Sequence, residues 1–273
     1  MHAYSITGGG GLRLHVEEAG RPDGKPILFI HGFSQCRLAW KKQMGSDLAR
    51  DFRLIAMDVR GHGLSDKPRG VYGDSHLWAQ DVHAVVTTLQ LKGPVLVGWS
   101  YGGVIMSDYL QSFGDAAIAG TQWVGAVSRL GAPLVEGGFL GGDFLAIMPG
   151  FFSNDATDSV ATLQRFLTLC VHGELTTDDL YFFLGYNTIV PPYVREGLFA
   201  RTLDNDAAIS ATRKPVSLVY GEADRVVSPR MCTHLETLVP DAAVATYADT
   251  GHMPFWEAPE RFNRELREFR SRV

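Results

Sequence analysis

The sequence predicts an α/β protein: a mostly parallel sheet with helices on both faces, into which a helical cap is inserted. Three observations carry this expectation. Continuous apolar runs at 27–30, 54–57 and 95–99 have the length and composition of strands buried on both faces. Segments of helical spacing separate them, and strand-helix alternation implies parallel crossover units. The rhythm lapses between residues 134 and 213, then returns with strand-like runs at 216–220 and 243–247.

Taken in order, the glycines at 8–11 suit a tight turn between two strands, and Leu12 to Glu18 alternates apolar and polar residues as a strand with one wet face does. Ile27 to Ile30 and Leu54 to Met57 follow as buried parallel strands. Leu38, Met44, Leu48 and Phe52 fall near helical spacing and predict a helix between them. A helix near 73–91, a strand at Val95 to Trp99, a helix at Gly102 to Phe113 and a strand at Gln122 to Val127 continue the alternation. The insertion carries amphipathic segments at Ser159 to Leu169, Asp178 to Leu184 and Tyr193 to Phe199, and a charged helix from Pro259 to Arg270 closes the chain. The expected organisation is a core of residues 1–133 and 214–273 with a cap of residues 134–213.

Composition narrows the function. With 273 residues, 45% hydrophobic and 20% charged, the chain has globular rather than disordered character. Lys+Arg 25 against Asp+Glu 30 leaves a formal charge of -5, which offers no bulk attraction to nucleic acid or anionic lipid. Cys36, Cys170 and Cys232 are odd in number, far apart and outside any CxxC spacing, so free thiols are expected. The first residues lack a signal-peptide pattern and no apolar run is long enough for a membrane span, so the expectation is a cytoplasmic protein. No oligomeric state follows from the sequence.

The chemistry centres on Gly98-Trp99-Ser100-Tyr101-Gly102-Gly103, a G-x-S-x-G pattern set directly after an apolar strand and opening a helix. Such a turn holds a serine in a strained backbone conformation, and the glycines avoid collisions with strand and helix. A helix N-terminus also surrounds developing negative charge with N–H groups. A serine hydroxyl needs a base and the base needs an orienting group. His252, in Gly251-His252-Met253-Pro254, follows the last strand at the same sheet edge, where ligands of open parallel sheets bind. Asp224, in Gly221-Glu222-Ala223-Asp224, follows the strand at 216–220 and completes the order Ser, Asp, His; Glu222 is the second candidate. His31-Gly32-Phe33 places the N–H of Phe33 as one oxyanion donor, with the N–H of Tyr101 as the other. His31 reads as structural, as do Asp58, Arg60 and Ser65 in the 58–66 segment. Neither a P-loop, a dinucleotide fingerprint nor a zinc spacing is present, so no metal or organic cofactor is expected.

Together with Asp58-Val59-Arg60-Gly61-His62-Gly63-Leu64-Ser65-Asp66, these motifs make the chain resemble the serine-dependent α/β hydrolases over nearly its whole length. It is most similar to the cofactor-free branch of aryl and carboxyl esterases and so-called non-haem haloperoxidases. The resemblance implies an eight-stranded sheet and ester hydrolysis with side perhydrolysis. Serine at position 100 sets the chain apart from similar haloalkane dehalogenases and epoxide hydrolases, which use aspartate.

For the pocket the expected residues are Trp99, Phe139, Phe144, Phe152, Phe166, Met253 and Trp256, an aromatic lining suited to a small or medium uncharged ester or lactone. Other readings share the fold. Hydrolysis of a carbon–carbon bond beside a ketone would ask for a cationic pocket residue beyond Arg60. Amide or aminopeptide cleavage would ask for acids such as Asp143, Asp155 or Glu174. A ligand receptor that kept the turn would have no use for an activated serine.

Overall fold

The computed structural model describes residues 1–273 and places eight strands in one sheet of order β1-β2-β4-β3-β5-β6-β9-β10. Strands β1 (His2–Thr7) and β2 (Arg13–Gly20) form an antiparallel hairpin in which Thr7 opposes Arg13, so the glycines at 8–11 supply its connection. β2 is also antiparallel to β4 (Phe52–Met57). From β4 onward every pairing is parallel, through β3 (Lys25–Ile30), β5 (Val95–Trp99), β6 (Gly120–Val124), β9 (Val216–Gly221) and β10 (Ala243–Tyr247). After β3 the chain adds β4 on one side and β5 on the other. This reversal of strand order opens a crevice at the carboxyl ends of β3 and β5.

The central strands are buried on both faces, as their unbroken apolar runs require: residues 27–30 and 95–97 are fully inaccessible. Helices α1 (Lys41–Met44), α2 (Ser75–Thr88), α3 (Tyr101–Phe113), α10 (Arg230–Leu238), α11 (Pro254–Glu257) and α12 (Pro259–Arg272) accompany the sheet. Trp40, Trp78, Trp99 and Trp123 fill the space between sheet and helices. Asp74 starts α2 by accepting the His76 N–H at 2.8 Å, a side-chain N-cap.

Two expectations need correction. The spacing of Leu38, Met44, Leu48 and Phe52 is not one helix. The stretch breaks into a 3-10 turn at Arg37–Trp40, the single turn of α1, and a second 3-10 turn at Asp47–Arg50 that Ser46 caps by accepting the Leu48 N–H. Phe52 already belongs to β4. The strand expected at Gln122 to Val127 stops at Val124, because Gly125 turns the chain with φ +48°.

Between β6 and β9 the chain runs through α4 (Ala132–Glu136), α5 (Gly142–Ile147), α6 (Ala156–Leu169), α7 (Thr177–Thr188), α8 (Pro192–Phe199) and α9 (Asp206–Ser210). Two short strands absent from the sequence reading, β7 (Arg129–Leu130) and β8 (Leu203–Asp204), pair antiparallel and tie the start of this excursion to its end. Asp155 caps α6 and Thr176 caps α7 through their side-chain oxygens.

Candidate active site

Ser100 sits between β5 and α3 with φ 55° and ψ -118°, a left-handed conformation that a non-glycine residue adopts only under constraint from its surroundings. The constraint comes from β6: the Ser100 N–H donates to the Val124 carbonyl at 3.0 Å, and the Ser100 carbonyl accepts from Gly103 and Val127 N–H at 2.9 and 3.2 Å. Close approach explains the glycines. A Cβ on Gly102 would lie 2.5 Å from the Ile30 carbonyl oxygen, and one on Gly98 would lie 2.8 Å from the Gly102 oxygen. With hydrogens there instead, α3 rests directly on the end of β3.

Asp224 and His252 meet at the same edge. Asp224 Oδ2 accepts from His252 Nδ1 at 2.6 Å, while Oδ1 accepts from the Val226 and Val227 N–H at 2.8 and 2.9 Å. The carboxylate is therefore fixed by its own turn before it orients the ring, and it leaves Nε2 as the imidazole nitrogen free to handle a proton. Gly125 makes room for this pair, since a Cβ there would lie 3.0 Å from His252 Nδ1. Glu222, the alternative acid, is exposed.

The histidine loop is anchored to the serine turn and to the connection between α6 and α7. Trp99 Nε1 donates to the His252 carbonyl at 2.9 Å, joining the residue before Ser100 to the histidine. Glu257 accepts from the Gly251 and His172 N–H at 2.8 and 2.7 Å; burial pushes its carboxyl above the usual range, although these donors oppose the shift. No hydrogen bond links Ser100 Oγ to His252, a contact that in such sites often tightens only with substrate bound.

Beside Ser100, Gly32 packs so closely that a Cβ would lie 2.9 Å from the serine Cβ. The backbone N–H groups of Phe33 and Tyr101 have no acceptor within the protein. Both are available to a substrate oxygen, at the start of the thirteen-residue α3. His31 is fully buried and bridges this loop to the turn after β4: its Nδ1 bonds the Gly32 carbonyl at 2.9 Å and its Nε2 accepts the Val59 N–H at 3.1 Å. Burial, partly opposed by Asp58, lowers its pKa from 6.5 to about 4, so the ring is neutral. Asp58 holds Arg37 and the Leu64 N–H, Ser65 bonds the Asp58 carbonyl, and Arg60 pairs with Asp81 at 2.7 Å. The side chains of Asp58, Arg60 and Ser65 are thereby spent on the scaffold.

Ser100 opens into a narrow cavity lined by Phe33, Tyr101, Phe144, Phe166, Phe199 and several aliphatic side chains from residues 127–140 and 226–227. Of the expected pocket residues, Phe144 and Phe166 line it and five do not. Trp99 points beneath the turn, against Phe255 at 4.9 Å. Met253 is buried where α11 begins. Trp256 packs on Phe183 at 4.5 Å, Phe139 on His234 at 5.3 Å, and Phe152 edge-on against Phe199 at 5.8 Å. For Trp99, Met253 and Trp256 proximity in sequence to Ser100 or His252 misled, because neighbouring side chains leave the backbone in different directions; Phe139 and Phe152 were expected only as aromatics of the insertion. Phe199 and the aliphatic residues were missed; only the amphipathic spacing of 193–199 hinted at Phe199.

A parallel sheet carrying a strained serine, a histidine-carboxylate pair and two unpaired N–H donors at one edge defines a hydrolase type of α/β protein. Residues 25–259 match the family model described as alpha/beta hydrolase fold, and the chain belongs to that family. It is 30% identical over 267 residues to the AB hydrolase superfamily protein YisY of Bacillus subtilis, covering 94% of this chain and 95% of that protein. A non-heme chloroperoxidase of Streptomyces lividans is 34% identical over 123 residues, 45% of this chain and 44% of its own length. Among solved structures, the esterase RhEst1 from Rhodococcus sp. ECU1013 superimposes with a TM-score of 0.94 at 34% identity, covering 99% of both chains. The chain is thus an esterase-like and haloperoxidase-like member of the family. No helix is long and apolar enough to cross a membrane.

Proposed function

We propose that the protein hydrolyses small to medium, largely uncharged carboxylic esters or lactones through an acyl-enzyme on Ser100. The observation that carries this reading is the Asp224–His252 pair beside Ser100 and two acceptor-free N–H groups. Ser100 Oγ attacks the carbonyl carbon while His252 Nε2 takes its proton, and the resulting oxyanion accepts from the Phe33 and Tyr101 N–H groups. His252 then protonates the leaving alkoxide. Water, deprotonated by the same ring, releases the acid. Asp224 keeps Nδ1–H as the donor and offsets the imidazolium charge in both halves.

Lining chemistry supports the substrate class. Ser100 is the one residue of twelve around the cavity that is not hydrophobic, so a charged acyl group would be desolvated there without a partner. No cation lines it for the carboxylates of carbon–carbon hydrolase substrates. Asp143, Asp155 and Glu174 are exposed, outside the cavity lining, which leaves a substrate ammonium no acid there. Similarity to the chloroperoxidase supports side perhydrolysis, in which peroxide replaces water at the acyl-enzyme to give a peracid.

A series of p-nitrophenyl esters of increasing acyl length, with lactones, amides and a peroxide-dependent halogenation assay, tests the reading. The expected result is fastest turnover of short and medium acyl groups, abolished in Ser100→Ala. Near-normal turnover by that variant refutes it.

A further inference from the structure

Arg195, on α8, is 1% exposed, and no carboxylate pairs with it. The buried Arg60 and Arg201, by contrast, are matched to Asp81 and Asp108. Placing a guanidinium inside a protein without a counter-ion is costly, so its hydrogen bonds must serve some end. Nη2 donates to the Asn187 carbonyl at 2.6 Å, at the end of α7, and Nε donates to Ser34 Oγ at 3.0 Å. Ser34 is the residue after Phe33, and its φ of 61° is left-handed. Within this loop the one backbone hydrogen bond, from Gln35 N–H to the Gly32 carbonyl, is long at 3.3 Å. Left to itself, a serine there would relax toward negative φ and swing the preceding peptide, which carries the Phe33–Ser34 link.

The neighbours of Ser34 are held from the same direction. Tyr186 on α7 donates its hydroxyl to Gln35 Oε1 at 2.8 Å, and Phe199 at the end of α8 packs edge-on against Phe33 at 4.7 Å. Tyr101, the other oxyanion residue, donates its hydroxyl to the Leu198 carbonyl at 3.3 Å and accepts from Arg201 Nη1 at 3.0 Å. One short stretch, residues 195–201 of α8 and the turn after it, thus touches both sides of the oxyanion hole.

We propose that Arg195 is a positioning residue for catalysis: by bonding Ser34 Oγ from α8 it locks the 32–35 loop in the conformation that aims the Phe33 N–H at the substrate oxygen. This rests on the acyl-transfer reading above. The inserted helices then do more than shape a pocket, because the oxyanion hole is assembled only while α8 is docked. Burial pulls the Arg195 guanidinium down to about 10, and it remains protonated at neutral pH.

The test compares Ser34→Ala, Arg195→Met, Arg195→Lys, their Ser34→Ala/Arg195→Met combination and Ser100→Ala, all on p-nitrophenyl acetate. Alanine at 34 removes the acceptor while keeping the Cβ that disfavours positive φ, and as the smaller change it carries the test if Arg195→Met does not fold. Expected is a fall in kcat of about tenfold or more for Ser34→Ala and Arg195→Met with KM within about threefold, since the lost contact acts on the transition-state oxyanion. The double variant should be no slower than the worse single, and Arg195→Lys should recover part of the rate. A wild-type kcat in Ser34→Ala, or in a folded Arg195→Met with only the melting temperature lowered, overturns the proposal while inactivity of Ser100→Ala leaves the acyl-transfer reading intact. Activity surviving in Ser100→Ala overturns both.

Discussion

Replacing His31 with glutamine isolates a pH-dependent part of the stability. In the folded protein the neutral ring donates from Nδ1 to Gly32 and accepts at Nε2 from Val59, so protonation would set two N–H groups against each other. Its folded pKa of about 4 lies below the ordinary 6.5. Between those values the unfolded chain binds a proton that the folded chain does not. Stability from this group is therefore full above pH 6.5 and is lost as pH falls toward 4. The interval corresponds to about 3 kcal/mol at 1.36 kcal/mol per pH unit. Other buried groups titrate as well: His62 is pushed down in the same sense, whereas burial pushes Asp108 up to about 6 and acts in the opposite sense. The difference between wild type and His31→Gln removes their contributions. Urea unfolding from pH 7 to about 4 should find the variant less stable at neutral pH, with a gap that narrows by up to about 3 kcal/mol on acidification. Parallel stability curves would refute the assignment of a buried neutral imidazole.

Two further outcomes follow from the same geometry. Gly102→Ala drives a methyl against the Ile30 carbonyl oxygen, and should cost about 2 kcal/mol or more, lowering the melting temperature by roughly 4–8 °C along with turnover. A melting temperature equal to wild type would contradict the close approach of α3 to β3. Asp224→Asn keeps the turn but presents the wrong partner to Nδ1, and kcat for p-nitrophenyl acetate should fall by about 10³–10⁴ with the fold preserved. A loss smaller than tenfold would assign the orienting role elsewhere.

The sequence was most readable where one force dominates. Buried parallel strands announce themselves as unbroken apolar runs, and Val95–Trp99 was delimited to the residue. The residues of the candidate site were legible because glycines, a serine and a histidine stand at strand ends in a fixed chain order. Legibility failed where periodicity and local capping compete. Leu38, Met44 and Leu48 keep a helical spacing through a stretch that Gly45 and the Ser46 cap divide. It failed again for the pocket, whose lining depends on how the inserted helices sit on the sheet. Trp256, beside the His252 motif, and Phe139, an aromatic of the insertion, line no part of the cavity at Ser100, whereas Val127 and Leu134 carried no distinguishing mark. Arg195 was equally silent: nothing in Val194-Arg195-Glu196 indicates that a cation from α8 will be buried against Ser34.

The most direct measurement is intact and peptide mass spectrometry after brief exposure to a fluorophosphonate. One adduct per chain, on the peptide holding Ser100 and absent from folded Ser100→Ala, is the predicted result. A well-folded wild-type protein that remains unlabelled, or is labelled equally in Ser100→Ala, would contradict an activated serine at the end of β5.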